Sequence, residues 1–338
     1  MSRNNKLSLI AQAQARFDSI LRIGEKKLPH KTDGSFKNYI FSWGTYRAYL
    51  KQSCIFLRWC KSQPTDPRIG HKPRTIEEGR RFATAWLQHS ADTLSPYTAA
   101  MRVSALAKLF GCDSKDFNTM LKPRKRGKIK RSRCSVKDDA HFSEARHAEL
   151  VAFCRSTGLR RSELEALCGN ALIYCEGKPY LHITSATKGG RPRISPIIGT
   201  DEEIEAVVAR MRKAGAGKVW GKVSSHADIH SYRADYATRL YRQIARPTSV
   251  LQKERLLIYK NRIIGSYTCS DGFPNSDSFP QYCENGKVKP GYRDVPARYT
   301  CRNDLAGTVY DRRAMFVVSA ALGHNRESIV AGHYLMLR

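Results

Sequence analysis

A basic segment divides this chain of 338 residues into two parts. Between positions 122 and 133 there are eight lysines and arginines and no acidic residue, with a proline and a glycine among them. Proline and glycine disfavour a helix here, and the segment offers no apolar face to a core. The length also suggests two domains, at roughly 150 residues each. We therefore predict domains at 1–121 and 138–338, joined by a basic linker at 122–137.

The charge of the whole chain indicates a polyanionic partner. The 59 basic and 30 acidic residues give a formal net charge of +29 at pH 7. Repulsion at this level destabilises a compact protein, so the excess points to nucleic acid or to an anionic membrane surface. Residues 1–137 hold 29 basic and 9 acidic residues, a net of +20, which leaves +9 for the remainder. No amphipathic or lipidation feature accompanies the charge, so nucleic acid is the expected partner.

Several other classes of protein are excluded. The sequence has no stretch of about 18 apolar residues, so we expect no transmembrane helix. Its first residues lack the apolar run of a signal peptide, and its ten cysteines are therefore interpreted as reduced thiols. It contains neither a C-x-x-C pair nor the glycine-rich phosphate loop of nucleotide hydrolases. We accordingly expect no metal and no other cofactor.

Helical spacing of apolar residues predicts a small helical bundle in the first part. We predict helices over 36–60, 75–87 and 95–111. The second of these begins at a Thr-x-x-Glu capping box, and the third begins at Ser-Pro and ends at a glycine.

The second part is predicted to mix helices with a small sheet. A helix begins at a capping box of Ser162 and Glu165, and two short strands flank a turn that contains Lys188. Residues 247–308 show little periodicity. Further helices are predicted over 143–153, 204–212, 230–245 and 314–322.

Four segments of the second part place polar residues where an ordinary core would exclude them. Taken alone, Arg160 before a helix and Lys188 at a turn are more simply interpreted as surface charges. His230 and Arg233 lie three residues apart on one helix face, and they repel each other unless an anion lies between them. The segments are Thr-Gly-Leu-Arg at 157–160, the turn at 187–190, His-Ser-Tyr-Arg at 230–233, and Leu-Gly-His at 322–324 followed by Tyr334.

Taken together and in this order, the four segments resemble the catalytic domain of the tyrosine recombinases, the lambda-integrase-like family. The resemblance covers about 143–245 and 312–338, and the first part is similar to the family's core-binding (SAM-like) domain in layout. It implies a mainly α fold. A helical core-binding domain and a mixed α+β catalytic domain with a small antiparallel sheet would form a C-shaped clamp on DNA.

The resemblance also implies roles for individual residues. The two arginines would clamp the scissile phosphate, and the two histidines would hydrogen-bond it. His230 would also help to take the tyrosine proton. The lysine would protonate the leaving 5′-oxygen. The tyrosine would attack and form a 3′-phosphotyrosine, which conserves the phosphodiester energy without ATP or metal. These six residues are Arg160, Lys188, His230, Arg233, His324 and Tyr334.

The expected function is that of a site-specific DNA recombinase, the integrase of a mobile element or phage in a bacterial cytoplasm. Its partners would be double-stranded DNA, further copies of itself in a tetramer on two DNA sites, and accessory DNA-bending or directionality proteins. One alternative is a type IB topoisomerase, which uses a similar residue set and relaxes supercoils as a monomer. The other is an architectural DNA-binding protein without catalysis, which the complete set of six polar positions disfavours.

The basic linker is expected to cross DNA phosphates and to add affinity through counterion release, with little sequence information. The alternative is a merely solvated linker. Its basic residues are Lys122, Arg124, Lys125, Arg126, Lys128, Lys130, Arg131 and Arg133.

Residues 247–308 depart from the family pattern and are predicted to be an insertion. Cys269, Cys283 and Cys301 lie in it without tight metal-ligand spacing, so free thiols are expected rather than a zinc site. Its tyrosines, lysines and arginines could contact DNA or a neighbouring subunit. The chain stops four residues after Tyr334, so either subunit contacts use other elements or this tyrosine lies on a mobile end segment.

Overall fold

The chain divides into two compact units, Met1–Lys128 and Ile129–Arg338. The division falls inside the segment predicted to be the linker. Among the described residues, none of the helices is both long and apolar enough to cross a membrane. The computed structural model describes residues 7–65, 70–124, 141–187, 190–260, 262–268, 283–284, 287–302, 305–324 and 326–335.

The first unit is a bundle of short helices around an aromatic core. Phe17, Phe56, Trp86 and Leu106 are almost fully buried there. The helices that the structure describes are α1 Leu9–Ser19, α2 Lys27–Thr32, α3 Trp43–Ser62, α4 Ile76–Arg80, α5 Ala83–Thr93 and α6 Pro96–Phe110.

Local chemistry sets the ends of the helices predicted in this unit. The segment predicted as one helix over 75–87 is two helices, α4 and α5, with a turn at Arg81 and Phe82 between them. The hydroxyl of Thr75 accepts the N–H of Glu78 at the start of α4. The hydroxyl of Ser95 caps α6, and Gly111 ends it in the left-handed conformation. The helix predicted from residue 36 begins instead at Trp43, because the hydroxyl of Ser42 caps the chain there.

The second unit packs helices against a small antiparallel sheet, so the predicted mainly α fold with a small antiparallel sheet is confirmed. Strands β1 Leu172–Cys175, β2 Lys178–Ile183 and β3 Arg193–Pro196 pair in the order β1-β2-β3. Leu159, Leu164 and Met211 are fully buried beside them. The helices are α7 Ala148–Thr157, α8 Arg161–Ala166, α9 Asp201–Ala214, α10 Ile229–Ile244, α11 Arg312–Ala321 and α12 Glu327–His333.

The capping box predicted at Ser162 and Glu165 is wrong. Helix α8 begins at Arg161, and its N-cap is Arg160 rather than Ser162. The carboxylate of Glu163 accepts the backbone N–H of Arg160 at 2.8 Å. Ser162 therefore lies inside the helix, and its hydroxyl donates to the carbonyl of Ala186. From the third helical position a carboxylate reaches back to the N–H of the N-cap residue, which here is Arg160.

The segment 247–308 contains a second sheet packed on α11. Strands β4 Glu254–Tyr259 and β8 Tyr292–Pro296 place the buried Leu256 and the partly buried Val295 on the face that meets Phe316 of α11. Arg255 pairs with Asp294 across the sheet at 3.0 Å. In this sheet β4 lies between β8 and β5 Arg262–Thr268. Two separate two-stranded pairs are formed by β6 Cys283–Glu284 with β7 Lys287–Val288 and by β9 Arg298–Thr300 with β10 Val309–Asp311.

Of the three cysteines in this segment, the side chain of Cys301 is buried, whereas Cys269 and the side chain of Cys283 lie outside the described residues. In the part of the chain that the structure describes, no three His, Cys, Asp or Glu side chains are placed to hold a metal ion.

Gly158 joins helix α7 to the residue that precedes α8. It has a φ of 62°, and a Cβ there would lie 2.3 Å from Cδ1 of Tyr236. The Tyr236 ring has no room to move, because it is fully buried and its hydroxyl donates to the carbonyl of Pro196 at 2.9 Å. Only glycine satisfies both the backbone conformation and the packing at this position.

We expect Gly158→Ala to lower the free energy of unfolding by about 2–5 kcal/mol, from backbone strain and overpacking together. The matched control is Gly177→Ala, because Gly177 has a φ of 74° and nothing within 4 Å of its missing Cβ. That variant should lose only about 1–2 kcal/mol. Chemical denaturation of both variants measures the difference, and equal losses would contradict the role of Tyr236.

Candidate active site

Tyr334 lies immediately after α12 and is only 6% exposed. Its hydroxyl is 3.1 Å from Nε2 of His324 and 3.4 Å from Nε of Arg233. The ring centroid of His230 is 5.3 Å from that of the tyrosine. The structure thus brings four of the six predicted residues together around one hydroxyl, and the tyrosine packs in a core rather than on a detached end segment.

Two arginines converge on a single carbonyl oxygen. Arg160 donates to the carbonyl of Leu322 at 3.0 Å, and Arg233 donates to the same oxygen and to the carbonyl of Gly158. Leu322 follows the last residue of α11, so its carbonyl is one of those that the helix leaves without an internal donor. The first residue of the Leu-Gly-His motif therefore fixes both guanidinium groups.

Arg233 is a buried cation that no carboxylate of the described residues balances. It is 2% exposed, and burial lowers the pKa of its guanidinium to about 10, so the group remains charged at neutral pH. Within the described residues it pairs with backbone carbonyls and with Tyr334, and with no carboxylate. Its charge therefore remains to be balanced by an anion placed next to it.

A cavity of about 310 Å³ opens beside these groups. The carboxylate of Asp228, the acidic residue on its wall, caps α10 by accepting the N–H of Ser231 at 3.1 Å. The remaining polar side chains on the wall are cationic, imidazole or phenolic, so the cavity suits an anion. The lining residues are Arg160, Arg161, Ala227, Asp228, Ile229, His230, Arg233 and Tyr334.

Sequence reasoning missed the carboxylate that holds Arg160. Glu163 is 1% exposed, and it accepts from Nη1 of Arg160 at 2.6 Å and from both terminal nitrogens of Arg193 at 2.6 and 2.7 Å. Arg193 also donates through Nε to the carbonyl of Ala321 at 2.9 Å. One signal was present in the sequence, since Arg193 lies at an inward position of a predicted strand and so requires a buried partner.

The burial of Glu163 alone would raise the pKa of its carboxyl. The hydrogen bonds and charges of Arg193 and Arg160 outweigh burial and lower that pKa to about 2. The carboxylate therefore stays ionised at any pH at which the protein is expected to work.

Sequence reasoning also missed a clamp on the loop that leads into α10. Arg161 donates to the carbonyls of Val223, Ser224 and Ala227, the last at 2.6 Å. One turn further along α8, Glu165 accepts the N–H of Val223 at 3.0 Å. Helix α8 thereby positions both Arg160 and the start of the helix that carries His230 and Arg233.

Not every predicted residue can be located. Lys188 lies outside the described residues, between the ends of β2 and β3. In the basic linker, Lys122 and Arg124 are described and exposed, and Nζ of Lys122 donates to the carbonyl of Asp92 at 3.3 Å. The other six basic residues of the linker also lie outside the described part of the chain.

No protein-family model matches the sequence, and no curated protein matches it. Among solved structures, the chain is similar to the Tn1549 transposon integrase in complex with circular-intermediate DNA, at 13% identity and a TM-score of 0.35, over 70% of this chain and 89% of that one. A single-residue variant of that integrase, in complex with transposon right-end DNA, gives 14% identity and a TM-score of 0.34, over 72% and 90%. Similarity at this level carries no weight for function, which rests on the side chains of this chain.

We expect Glu163→Gln to lower the free energy of unfolding at neutral pH by about 3–5 kcal/mol, because it leaves two guanidinium groups without their counterion. The control is Glu149→Gln. Glu149 pairs with Arg210, and the side chain of Glu149 is 64% exposed. That loss should not exceed about 1 kcal/mol. Urea unfolding of the three proteins measures the effect, and similar losses in both variants would contradict it.

The stability difference between the wild type and Glu163→Gln should depend on pH, with a sign that follows from the pKa of Glu163. The folded pKa of Glu163 lies below its ordinary value of 4.5, so its stabilisation is complete above about pH 4.5 and disappears as the pH falls through about 2. The stability difference between the wild type and Glu163→Gln should therefore shrink over this range. A stability difference that stays constant with pH would contradict the ion pair of Glu163 with the two arginines.

Proposed function

We propose that this chain is a tyrosine-type site-specific recombinase, the integrase of a mobile element or phage. It would cut and rejoin double-stranded DNA through a covalent 3′-phosphotyrosine. The observation that carries the proposal is the Tyr334 hydroxyl, which lies 3.1 Å from His324 and 3.4 Å from the buried guanidinium of Arg233. A tyrosine between an imidazole and a cation that no described carboxylate balances is suited to attack an anionic centre.

The proposed first step places the scissile phosphate in the cavity beside Arg160 and Arg233. The phenolic oxygen of Tyr334 attacks phosphorus, and the bond from phosphorus to the 5′-oxygen breaks. An imidazole takes the phenolic proton; His324 is within hydrogen-bonding distance of the hydroxyl, and His230 flanks the ring. We assign the proton for the leaving 5′-oxygen to Lys188.

Charge builds on the non-bridging oxygens during this step, and the arginines are already fixed before the DNA arrives. Both donate to the Leu322 carbonyl, so little reorganisation is required when the transition state forms. The second step reverses the first with a new 5′-hydroxyl as the nucleophile. Because the phosphotyrosine conserves the phosphodiester energy, neither ATP nor a metal ion takes part.

We also assign double-stranded DNA as the substrate and a tetramer on two DNA sites as the active assembly. Accessory DNA-bending or directionality proteins would act with it. The basic linker would contribute phosphate contacts through the eight lysines and arginines at 122–133, two of which, Lys122 and Arg124, are described and exposed. The net charge of +29 supports this partner.

We expect Tyr334→Phe to abolish covalent capture of a DNA substrate that is nicked near the cleavage position, because the nucleophilic oxygen is absent. The matched control is Tyr310→Phe, because Tyr310 is a tyrosine of the same unit that is 3% exposed and packs on Tyr241. It should form the adduct as the wild type does. Denaturing gel electrophoresis of the labelled DNA measures the adduct.

An adduct in Tyr334→Phe would overturn the assignment of the nucleophile. Relaxation of supercoiled plasmids of unrelated sequence by the wild type, without joining of two sites, would favour the type IB topoisomerase instead. Specific DNA binding without any adduct would favour the architectural protein.

We expect Arg160→Ala to slow cleavage by about 10²–10³-fold while weakening DNA binding much less, because its charge acts mainly at the transition state. The fold should survive, since Glu163 keeps its two hydrogen bonds from Arg193. Arg242→Ala, which removes an exposed arginine of α10, is the control and should change neither quantity. Single-turnover cleavage rates and equilibrium binding separate the two effects, and equal losses would indicate a general DNA contact.

A further inference from the structure

A second cavity, of about 730 Å³, lies entirely within the first unit. We call it the lysine cavity, because lysines predominate among its charged lining residues. One wall is α6, through Ser104 and Lys108, and the opposite wall is the aromatic segment that precedes α3. The charged side chains that line it are Lys27, Lys37, Lys108, Lys115 and Asp113.

Lys108 is a partly buried cation that none of the described acidic residues balances. Among the residues that the structure describes, it has no ion pair and no side-chain hydrogen bond. Burial, followed by the charges of Lys27 and Arg16, lowers the pKa of its ammonium group. Nη2 of Arg16 would lie 2.8 Å from a Cβ at Gly111, three residues beyond Lys108, so a third cation borders the end of the same helix.

Lys27 approaches the same space from α2. Its ammonium nitrogen lies 5.7 Å from the ring centroid of Phe36 and 5.8 Å from that of Phe41. Aromatic faces attract a cation but leave its formal charge in place. Lys27 and Lys108 thus bring two positive charges to one space.

The acid on the wall does not neutralise these lysines. One oxygen of Asp113 accepts the backbone N–H of Lys115 at 3.0 Å, and the other lies 4.0 Å from Nζ of Lys37. Ser42 and Thr45, at the N-terminal end of the 20-residue helix α3, also line the cavity. The positive end of that helix dipole adds to the potential inside.

We propose that the lysine cavity is a binding site for a phosphate oxyanion, and that a phosphate of the DNA backbone occupies it. The geometry supplies the two lysine side chains, the positive helix end and hydroxyl donors around a space in which the described acid, Asp113, is engaged with Lys115 and Lys37. The choice of DNA over a free phosphate rests on the proposed function. The site would lie outside the catalytic unit and would hold the duplex without reading its sequence.

The test compares Lys108→Met with Lys51→Met in the full chain. Lys51 is an exposed lysine of α3 that does not line the cavity, so both variants lose one positive charge. We expect Lys108→Met to weaken binding to a duplex of random sequence roughly fivefold at low salt. It should also reduce the slope of log affinity against log salt by about 0.9, as for one lost phosphate contact. Lys51→Met should leave the slope unchanged.

A measurement on the DNA-free protein separates this role from a structural one. Because Lys108 is desolvated and repelled by its neighbours, Lys108→Met should unfold at the same temperature as the wild type or higher. A lower unfolding temperature than that of Lys51→Met would show that the lysine supports the fold, and it would overturn the proposal.

Two further outcomes also overturn it. One is an unchanged salt slope in Lys108→Met. The other is saturable binding of inorganic phosphate to the DNA-free wild type that Lys108→Met abolishes, together with a salt dependence of DNA binding that Lys108→Met leaves unchanged. The site would then hold a free anion and not a phosphate of DNA.

Adduct formation by the wild type is measured in parallel. An adduct with an unchanged slope rejects the cavity proposal alone, and a changed slope without any adduct rejects the recombinase proposal alone.

Discussion

The candidate active site depends on one buried carboxylate. Glu163 accepts hydrogen bonds from Arg160 on one side and from Arg193 of strand β3 on the other. Arg193 then binds the end of α11 through the Ala321 carbonyl, and Arg160 binds the neighbouring Leu322 carbonyl. Helix α8, the small sheet and α11 are thus joined by charged groups that would be costly to bury separately.

The candidate site contains more positive than negative charge. Glu163 balances part of the charge of Arg160 and Arg193, whereas Arg233 pairs only with carbonyls and a phenol in the described structure. A pair that was fully neutral would hold the fold but would attract no phosphate. Without any acid, the guanidinium groups would repel one another and destabilise the site in the absence of DNA. The observed arrangement is rigid and still positive, which is what phosphoryl transfer requires.

The parts of the fold that the sequence predicts well are those governed by local chemistry. The caps at Thr75 and Ser95 and the stop at Gly111 depend on residues within one turn, so the sequence predicts them directly. The sheet of 247–308 was not predicted, because β4 buries Leu256, Leu257 and Ile258 in succession and so lacks the alternation of a half-exposed strand.

The candidate site divides in the same way. The ordered motifs identify Arg160, His230, Arg233, His324 and Tyr334, and these five lie together in the structure. The supporting contacts were missed because they join distant positions: Glu163 and Arg193 are 30 positions apart, and Arg161 and Val223 are 62 apart. No local pattern specifies which buried charge meets which. The shift of the helix cap from the expected Ser162 to Arg160 has the same origin, because the Glu163 carboxylate accepts the Arg160 N–H and also pairs with both arginines.

The central claim is that the oxygen of Tyr334 forms the bond to DNA. Mass spectrometry of the covalent protein–DNA adduct, after digestion with trypsin and nuclease, tests it most directly. Cleavage after Arg326 yields the peptide 327–338, in which Tyr334 is the only tyrosine. We predict that this peptide carries the nucleotide remnant, joined through a 3′-phosphate. A remnant on a peptide that contains Tyr310, or on any residue other than Tyr334, would contradict the account.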